Sequence, residues 1–372
     1  MVHNEENVIN TIQLINSDNL GPITFYKLLQ RYGSVKNAIE NISEVKKINL
    51  LSRTKAEDIY ENAIKKNMHV ITYDDKNYPQ ILLNIPDAPP VLYAIGNYNI
   101  LNQIPAVAIV GARNASINGR KTASRIAFDL TEQNVMVISG MARGIDAAAH
   151  KGALYAKQQS GATIAVLGTG ADIPYPNENK SLYCQIAEQG CIISEFSPET
   201  LPQANNFPRR NRIVATISAG TLVVEATNKS GSLITAEIAA DHNRKIFAIP
   251  GAPLEARSCG PNNLIKNGAF LIENAQDIIK CLDIPSEYKN IVLKRPKQQE
   301  LKLENNNVVK QTQNLNKTKI IDYLNFDGVY VDEIIRASGM SEAEIALELL
   351  ELEMSGKIER QSGNKVALIK GK

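Results

Sequence analysis

The segment Phe207-Pro208-Arg209-Arg210-Asn211-Arg212 puts three guanidinium groups and an aromatic ring at the start of a predicted helix. Beyond an apolar strand, Leu222 to Val224, come Lys229-Ser230-Gly231-Ser232, small and basic residues opening a second predicted helix over Leu233 to Asp241. Helix openings carry unpaired N–H groups and the positive end of the helix dipole, so each is a seat for an anion. Two such seats on neighbouring strand–helix units, armed with fixed cations, suit a ligand with several phosphates in a row. The competing reading is a solvated arginine face with no ligand.

Other strand ends add to the set. Gly111-Ala112-Arg113 closes an apolar strand, where small residues let a phosphate approach the backbone and Arg113 supplies a fork of donors. The alternative is a tight turn whose arginine pairs with a carboxylate. Ser139-Gly140-Met141-Ala142-Arg143-Gly144-Ile145-Asp146 is a long glycine-flanked loop in which Asp146 is expected to cap a helix over Ala147–Ala156. His150 follows on that alanine-rich helix, where packing is the plainer role. Glu195 and Glu225 each stand just past a strand and either serve as acids or orient the arginines; orientation is preferred. Phe207 either stacks a base, worth about 1–3 kcal/mol, or packs in the core. Gly168-Thr169-Gly170 lacks the third glycine of a dinucleotide loop, with Ile173 in its place, and no G-x-x-x-x-G-K-[ST] occurs. No cofactor is expected.

The elements that must position these residues alternate strand with helix. Strands are read at Val107–Val110, Val135–Ile138, Ile164–Leu167, Ile192–Ser194, Leu222–Val224 and Ile246–Ile249, with a short one at Phe270–Ile272. Their continuous Val/Ile/Leu runs fit a doubly wound, mostly parallel sheet covered on both faces. Ligands of such sheets lie outside the carboxyl ends of the strands. Arg113, Arg143, the arginines after Pro208 and Lys229 all follow strands, so they converge on one rim.

Four regions are expected. Residues 1–67 form a small helical domain whose Leu20-Gly21-Pro22 turn either offers N–H groups to a DNA phosphate or simply joins two helices. Residues 68–283 form the α/β domain, entered through a proline-punctuated, extended lead-in from Val70 to Ile104. Residues 284–316, rich in Lys, Gln and Asn, read as a flexible tether. Residues 317–372 follow the order of a winged helix: helices from Ile320 and over Val331–Ala337, a third capped by Ser341 with Glu344, then strands at Lys357–Gln361 and Lys365–Ile369. The third helix carries Glu342, Glu344, Glu348, Glu351 and Glu353 and neither Lys nor Arg. Carboxylates repel phosphate, so a protein partner or an intramolecular dock is preferred there over groove reading.

With 372 residues and 44% apolar content the chain has ample core, and its formal charge of +2 is too small to attract a polyanion as a whole. Any nucleic-acid role must rest on a local patch. The acidic start, Met1-Val2-His3-Asn4-Glu5-Glu6, does not resemble a signal peptide, and no apolar run reaches the roughly 20 residues of a membrane span. Cys184, Cys191, Cys259 and Cys281 form no C-x-x-C pair, which argues against structural zinc and for reduced thiols in a cytoplasmic protein.

Gly111-Ala112-Arg113, the Ser139–Asp146 loop, Phe207-Pro208-Arg209-Arg210-Asn211-Arg212-Ile213 and Ser230-Gly231-Ser232-Leu233-Ile234-Thr235-Ala236 together resemble the motifs of the bacterial DNA-processing protein A (DprA/Smf) family, over about Val70 to Lys280. The resemblance implies an extended Rossmann-like domain that binds single-stranded DNA through its backbone without sequence preference. It further implies homodimers that help load the RecA recombinase on DNA taken up in natural transformation, and no catalytic reaction. DNA contacts carry over to Gly111, Arg113, Phe207, Arg209, Arg210, Asn211, Arg212, Ser230, Gly231 and Ser232, and less directly to Lys229 and Arg143. Ala112 departs from the family, whose members often have Ser there. About five neutralised phosphates would give a log–log salt slope of roughly −3 to −4. Two rivals remain: a nucleotide-processing hydrolase using Glu225 or Asp146, and a protein-binding adaptor.

Overall fold

The computed structural model describes residues 5–45, 48–102, 105–156, 163–282, 320–326, 328–355, 357–361 and 363–369. The expected tether over 284–316 lies outside them. The chain divides into two compact units, 1–283 and 284–372.

Helices α1 (Glu5–Ile15), α2 (Pro22–Tyr32), α3 (Val35–Glu40) and α4 (Arg53–Lys65) open the first unit. Leu14, Leu20, Phe25, Leu28, Val35 and Ala38 form their core. The hairpin between α1 and α2 ends on Gly21 in extended conformation, and Pro22 then takes the first helical position, where its fixed φ suits the helix and its missing N–H costs nothing. Gly33, at φ 79°, closes α2 by donating to the Leu29 carbonyl. Lys66 ties this layer to the rest of the unit through Asp172 (2.6 Å) and Glu199 (2.9 Å).

A nine-stranded sheet follows: β1 (His69–Thr72), β2 (Val91–Gly96), β3 (Ala106–Val110), β4 (Met136–Ser139), β5 (Thr163–Val166), β6 (Cys191–Ser194), β7 (Gly220–Val223), β8 (Lys245–Ala248) and β9 (Phe270–Leu271). The strands lie in the order β1-β2-β6-β5-β4-β3-β7-β8-β9. From β6 to β9 every pairing is parallel. The proline-rich lead-in is more regular than its sequence implies, because Pro79, Pro86, Pro89 and Pro90 fall between β1 and β2 rather than within them. Both strands are antiparallel additions at the β6 edge.

Strand order runs outward from β3 through β4, β5 and β6 on one side, and through β7, β8 and β9 on the other. The reversal therefore lies between β3 and β7, which pair from Val107↔Gly220 to Val110↔Val223. Right-handed crossovers then place the two sets of helices on opposite faces. Helix α5 (Ile117–Glu132) packs on α6 (Ile145–Leu154), and α8 (Asn206–Thr216) packs on α9 (Gly231–Asp241). Helix α7 (Lys180–Gln189) precedes β6, and α10 (Cys259–Lys266) and α11 (Ala275–Cys281) complete the unit.

In the second unit β10 (Val329–Tyr330), β11 (Ile358–Gln361) and β12 (Lys365–Leu368) form an antiparallel sheet in the order β10-β12-β11. Two helices, α12 (Val331–Ser338) and α13 (Glu342–Met354), precede the hairpin, and Ser341 and Glu344 make the reciprocal capping box expected for α13. Ile334, Ile345, Leu349, Ile358 and Val366 are its buried core. No helix among the described residues is long and apolar enough to cross a membrane.

Candidate nucleic-acid interface

The carboxyl ends of β3 and β7 meet where the strand order reverses, and a cavity of about 320 Å³ opens above them. Gly111 and Arg113 after β3, Phe207, Arg210 and Asn211 on α8, and Ser230, Gly231 and Ser232 at the start of α9 all line it. Eight of the twelve residues singled out by sequence thus share one wall. Lys229 is exposed in the turn next to Ser230, beside that wall rather than on it.

Local chemistry sets the shape. Ser230 caps α9, its side chain accepting from the Ser232 N–H, so the helix begins at Gly231, two residues before the expected Leu233. A Cβ built at Gly231 would meet no protein atom within 4 Å. Packing does not demand glycine there, and the backbone stands open to a ligand. Asn211 on α8 joins the two seats: its side chain accepts from Arg210 Nε (3.2 Å) and donates to the Gly231 carbonyl (3.5 Å).

The arginines differ sharply. Arg113 is exposed, with its guanidinium 5.7 Å from the Phe207 ring centroid. Arg210 borders the cavity but is buried, donating to the carbonyls of Gly140 and Val166. A side chain at Gly140 would occupy the place of that guanidinium. Burial pulls the Arg210 pKa down, and the nearby Asp146 carboxylate opposes the shift. Arg212 does not line the cavity. Its guanidinium turns to Glu195 (2.6 Å) and Asp87 (3.2 Å), with only 10% of the side chain exposed. Arg209, half exposed, also reaches Glu195 (3.3 Å) and lies over the Phe196 ring.

Glu195 therefore orients arginines as expected; burial pushes its pKa up, against the pull of Arg212 and Arg209. Glu225 does not contact them. Its carboxylate accepts from the Ser116 N–H (2.9 Å) and hydroxyl, fixing the Gly111–Ser116 loop at the N-cap of α5. Asp146 is not the cap of its helix either. Gly144 occupies that position, and Asp146 sits inside the first turn, accepting from the Gly140 and Ala142 N–H groups (3.2 and 3.3 Å). The loop-shaping role holds and the capping role does not. Burial raises the Asp146 pKa, countered by Arg210. His150 is packed, with Nδ1 2.8 Å from the Thr163 hydroxyl, and burial first and Arg210 second lower its pKa to about 3.

A second cavity of about 260 Å³ adjoins the first and shares Arg113, Phe207 and Arg210 with it. Arg143 lines it, paired with Glu178 (3.3 Å), both about half exposed. Tyr175 lines it too, its ring centroid 5.4 Å from that of Phe207. Sequence reasoning passed over Tyr175. The signal was an aromatic residue following the carboxyl end of β5, on the same rim as the arginines. Phe207 is half-buried and borders both cavities, so it serves the core and the surface at once.

The arrangement can seat phosphate groups on Arg113, Lys229 and the N–H groups opening α9, beside a Tyr175–Phe207 aromatic platform. Comparison with known proteins identifies the domains. Residues 69–283 match the profile of DNA recombination-mediator protein A, residues 5–58 a DprA-like N-terminal HHH domain, and residues 310–364 a DprA winged helix domain. The protein Smf of Synechocystis is 36% identical over 324 residues, covering 80% of each chain. The DNA processing protein DprA of Streptococcus pneumoniae is 43% identical over 205 residues, 55% of this chain and 71% of that one. The crystal structure of the pneumococcal protein superposes with a TM-score of 0.60 at 31% identity, over 75% of this chain and 96% of the other. A structure of the Helicobacter pylori protein, described for its single-stranded DNA binding mode, superposes with a TM-score of 0.52 at 28% identity, over 58% and 96%.

Proposed function

The chain belongs to the DNA recombination-mediator protein A family, and from that premise we propose that it binds single-stranded DNA by its backbone at the β3–β7 switch point. The observation that carries this reading is the common wall formed by Arg113, Phe207, Asn211 and Ser230–Ser232, drawn from three separate strand ends. Within it, Arg113 and Lys229 take phosphates and Phe207 with Tyr175 takes a base. Arg210 and Arg212 hold helix α8 in place instead of gripping phosphate, and Arg209 and Arg143 flank the cavity as paired, half-exposed cations.

The protein acts in the cytoplasm as a mediator, protecting incoming DNA and helping to load the RecA recombinase during natural transformation. It works as a homodimer. Edge strand β9 supports this, since Phe270 and Leu271 are about half exposed there. The activity is binding rather than turnover: Asp146, Glu225 and His150, the groups a hydrolase would use, are each engaged in holding loops or filling the core. A gel shift of the full chain with oligo-dT and with a duplex of equal length tests the reading. It predicts retention of the single strand with preference over the duplex. Release of base or ribose phosphate from a nucleoside monophosphate, without oligonucleotide binding, would establish the hydrolase instead.

A further inference from the structure

Helix α13 is apolar on two faces, and the core of the second unit uses one of them. Ile345 and Leu349 are buried in that core. Ala346, Leu347 and Leu350 are exposed on another face, where one helical turn sets Ala346 and Leu347 beside Leu350. Leu347 is 63% exposed and Leu350 48%. A single exposed leucine is ordinary, but adjoining apolar positions along one helix face mark an interaction surface. The borders of this stripe are acidic. Glu342 lies one turn before Ala346 and Glu351 one turn after Leu347, so they flank it on opposite sides. Glu344 is engaged in the Ser341 cap, Glu348 accepts from the Ile320 N–H (3.1 Å) and Glu353 pairs with Arg360 (2.9 Å). Glu342 and Glu351 form no ion pair among the described residues, and α13 contains neither Lys nor Arg.

A second copy of α13 does not suit this face, because pairing like with like sets carboxylate against carboxylate. Its complement is an apolar segment bordered by cations and free of acids. This chain contains one: Lys289-Asn290-Ile291-Val292-Leu293-Lys294-Arg295-Pro296-Lys297. Three apolar residues stand between Lys289 and the cations Lys294, Arg295 and Lys297, and no carboxylate interrupts them. The segment lies outside the described residues, in the same unit as α13. The 22 residues from Gln298 to Lys319 join it to the winged helix. Extended, that length covers about 70 Å, against about 20 Å for the whole of α13, so reach does not limit the contact. Linkage over such a length holds a segment at about millimolar effective concentration, where contacts too weak to join separate molecules are populated.

We propose that residues 289–297 dock on the exposed face of α13, with Ile291, Val292 and Leu293 covering Leu347 and Leu350 and the flanking cations meeting Glu342 and Glu351. The winged helix is then a receptor for its own connecting segment. The four cations of that segment are neutralised on α13 rather than left free to bind a polyanion.

The test places the photocrosslinker p-benzoylphenylalanine at position 346 of the full chain, leaving both leucines intact, and maps the products by mass spectrometry. The expected crosslinks join position 346 to residues 289–297 within one chain, with a yield that is unchanged by dilution and reduced by high salt. Lys294→Glu with Arg295→Glu should lower that yield about fivefold or more. Adding Glu342→Lys and Glu351→Lys to the same chain should restore it, since the pairs then re-form with their charges exchanged. Glu342 and Glu351 are exposed, so the exchange leaves the core of the unit untouched. Crosslinks between two chains at α13, with a yield that rises with concentration, would overturn the proposal in favour of a second copy. Crosslinks to other parts of the chain, no crosslink at all, or a charge exchange that restores nothing would overturn it outright.

Discussion

Replacing Arg212 by alanine separates two roles that one residue type can play on α8. In sequence Arg212 looks like a phosphate ligand; in the fold it meets Glu195 at 2.6 Å and Asp87 at 3.2 Å, with 10% of its side chain exposed. Its removal leaves the Glu195 carboxylate, itself 4% exposed, with only the half-exposed Arg209 as partner. Breaking a buried pair by removing one member costs about 3–5 kcal/mol, chiefly because the surviving charge is stranded out of water. At about 2 °C per kcal/mol for a large folded unit, the unfolding midpoint of the first unit should fall by roughly 6–10 °C. The double substitution Glu195→Gln with Arg212→Met should recover most of that loss, since neither charge is then stranded. Differential scanning calorimetry of the unsubstituted protein and the two variants provides the midpoints, and a salt series of oligo-dT binding provides the slope. An Arg212→Ala protein with an unchanged midpoint and a salt slope shallower by one contact would refute the reasoning and return Arg212 to the DNA.

Arg113→Ala should behave in the opposite way. The side chain is exposed and lies over the Phe207 ring, so the midpoint should hold while oligonucleotide affinity falls about tenfold or more, uniformly across sequences. Gly231→Asp tests the seat on α9. Nothing lies within 4 Å of the new Cβ, and an acid in a first helical turn favours the helix, so folding should be retained as binding is lost. His150 contributes a pH dependence. Its pKa is lowered in the fold to about 3 from an ordinary 6.5, so the unfolded chain binds the extra proton. Its contribution is intact above about pH 6.5 and is lost as pH falls toward 3, at about 1.4 kcal/mol per unit. His150→Asn should flatten that part of the stability curve in urea titrations.

Much of the fold was legible in the sequence because buried parallel strands are written as unbroken apolar runs. Ala106–Val110 and Cys191–Ser194 differ by a single residue from where those runs place them. The antiparallel edge was not legible, because the prolines between β1 and β2 obscure their regularity. At the site, residue types predicted the location of the cavity but not the occupation of each side chain. Arg113, Arg210 and Arg212 look alike in the chain, and what separates them comes from distant segments. The Gly140 and Val166 carbonyls claim Arg210, and Glu195 with Asp87 claims Arg212. Glu225 illustrates the same limit, since its partner Ser116 lies on another loop. Where a capping pattern is purely local, as at Ser341 and Glu344, sequence and structure coincide.

The commitment of Arg210 and Arg212 also changes how many charges face the DNA. Arg113, Lys229 and Arg143 remain as cations at or beside the two joined cavities, fewer than the five contacts implied by counting basic residues. The most direct measurement is therefore oligo-dT affinity of the full chain as a function of salt, by fluorescence anisotropy. A slope of roughly −2 in log affinity against log salt, reduced by about 0.7 in Arg113→Ala, is the predicted result. An affinity that does not change with salt, or an Arg113→Ala slope equal to that of the unsubstituted protein, would contradict a phosphate-holding cradle at the switch point.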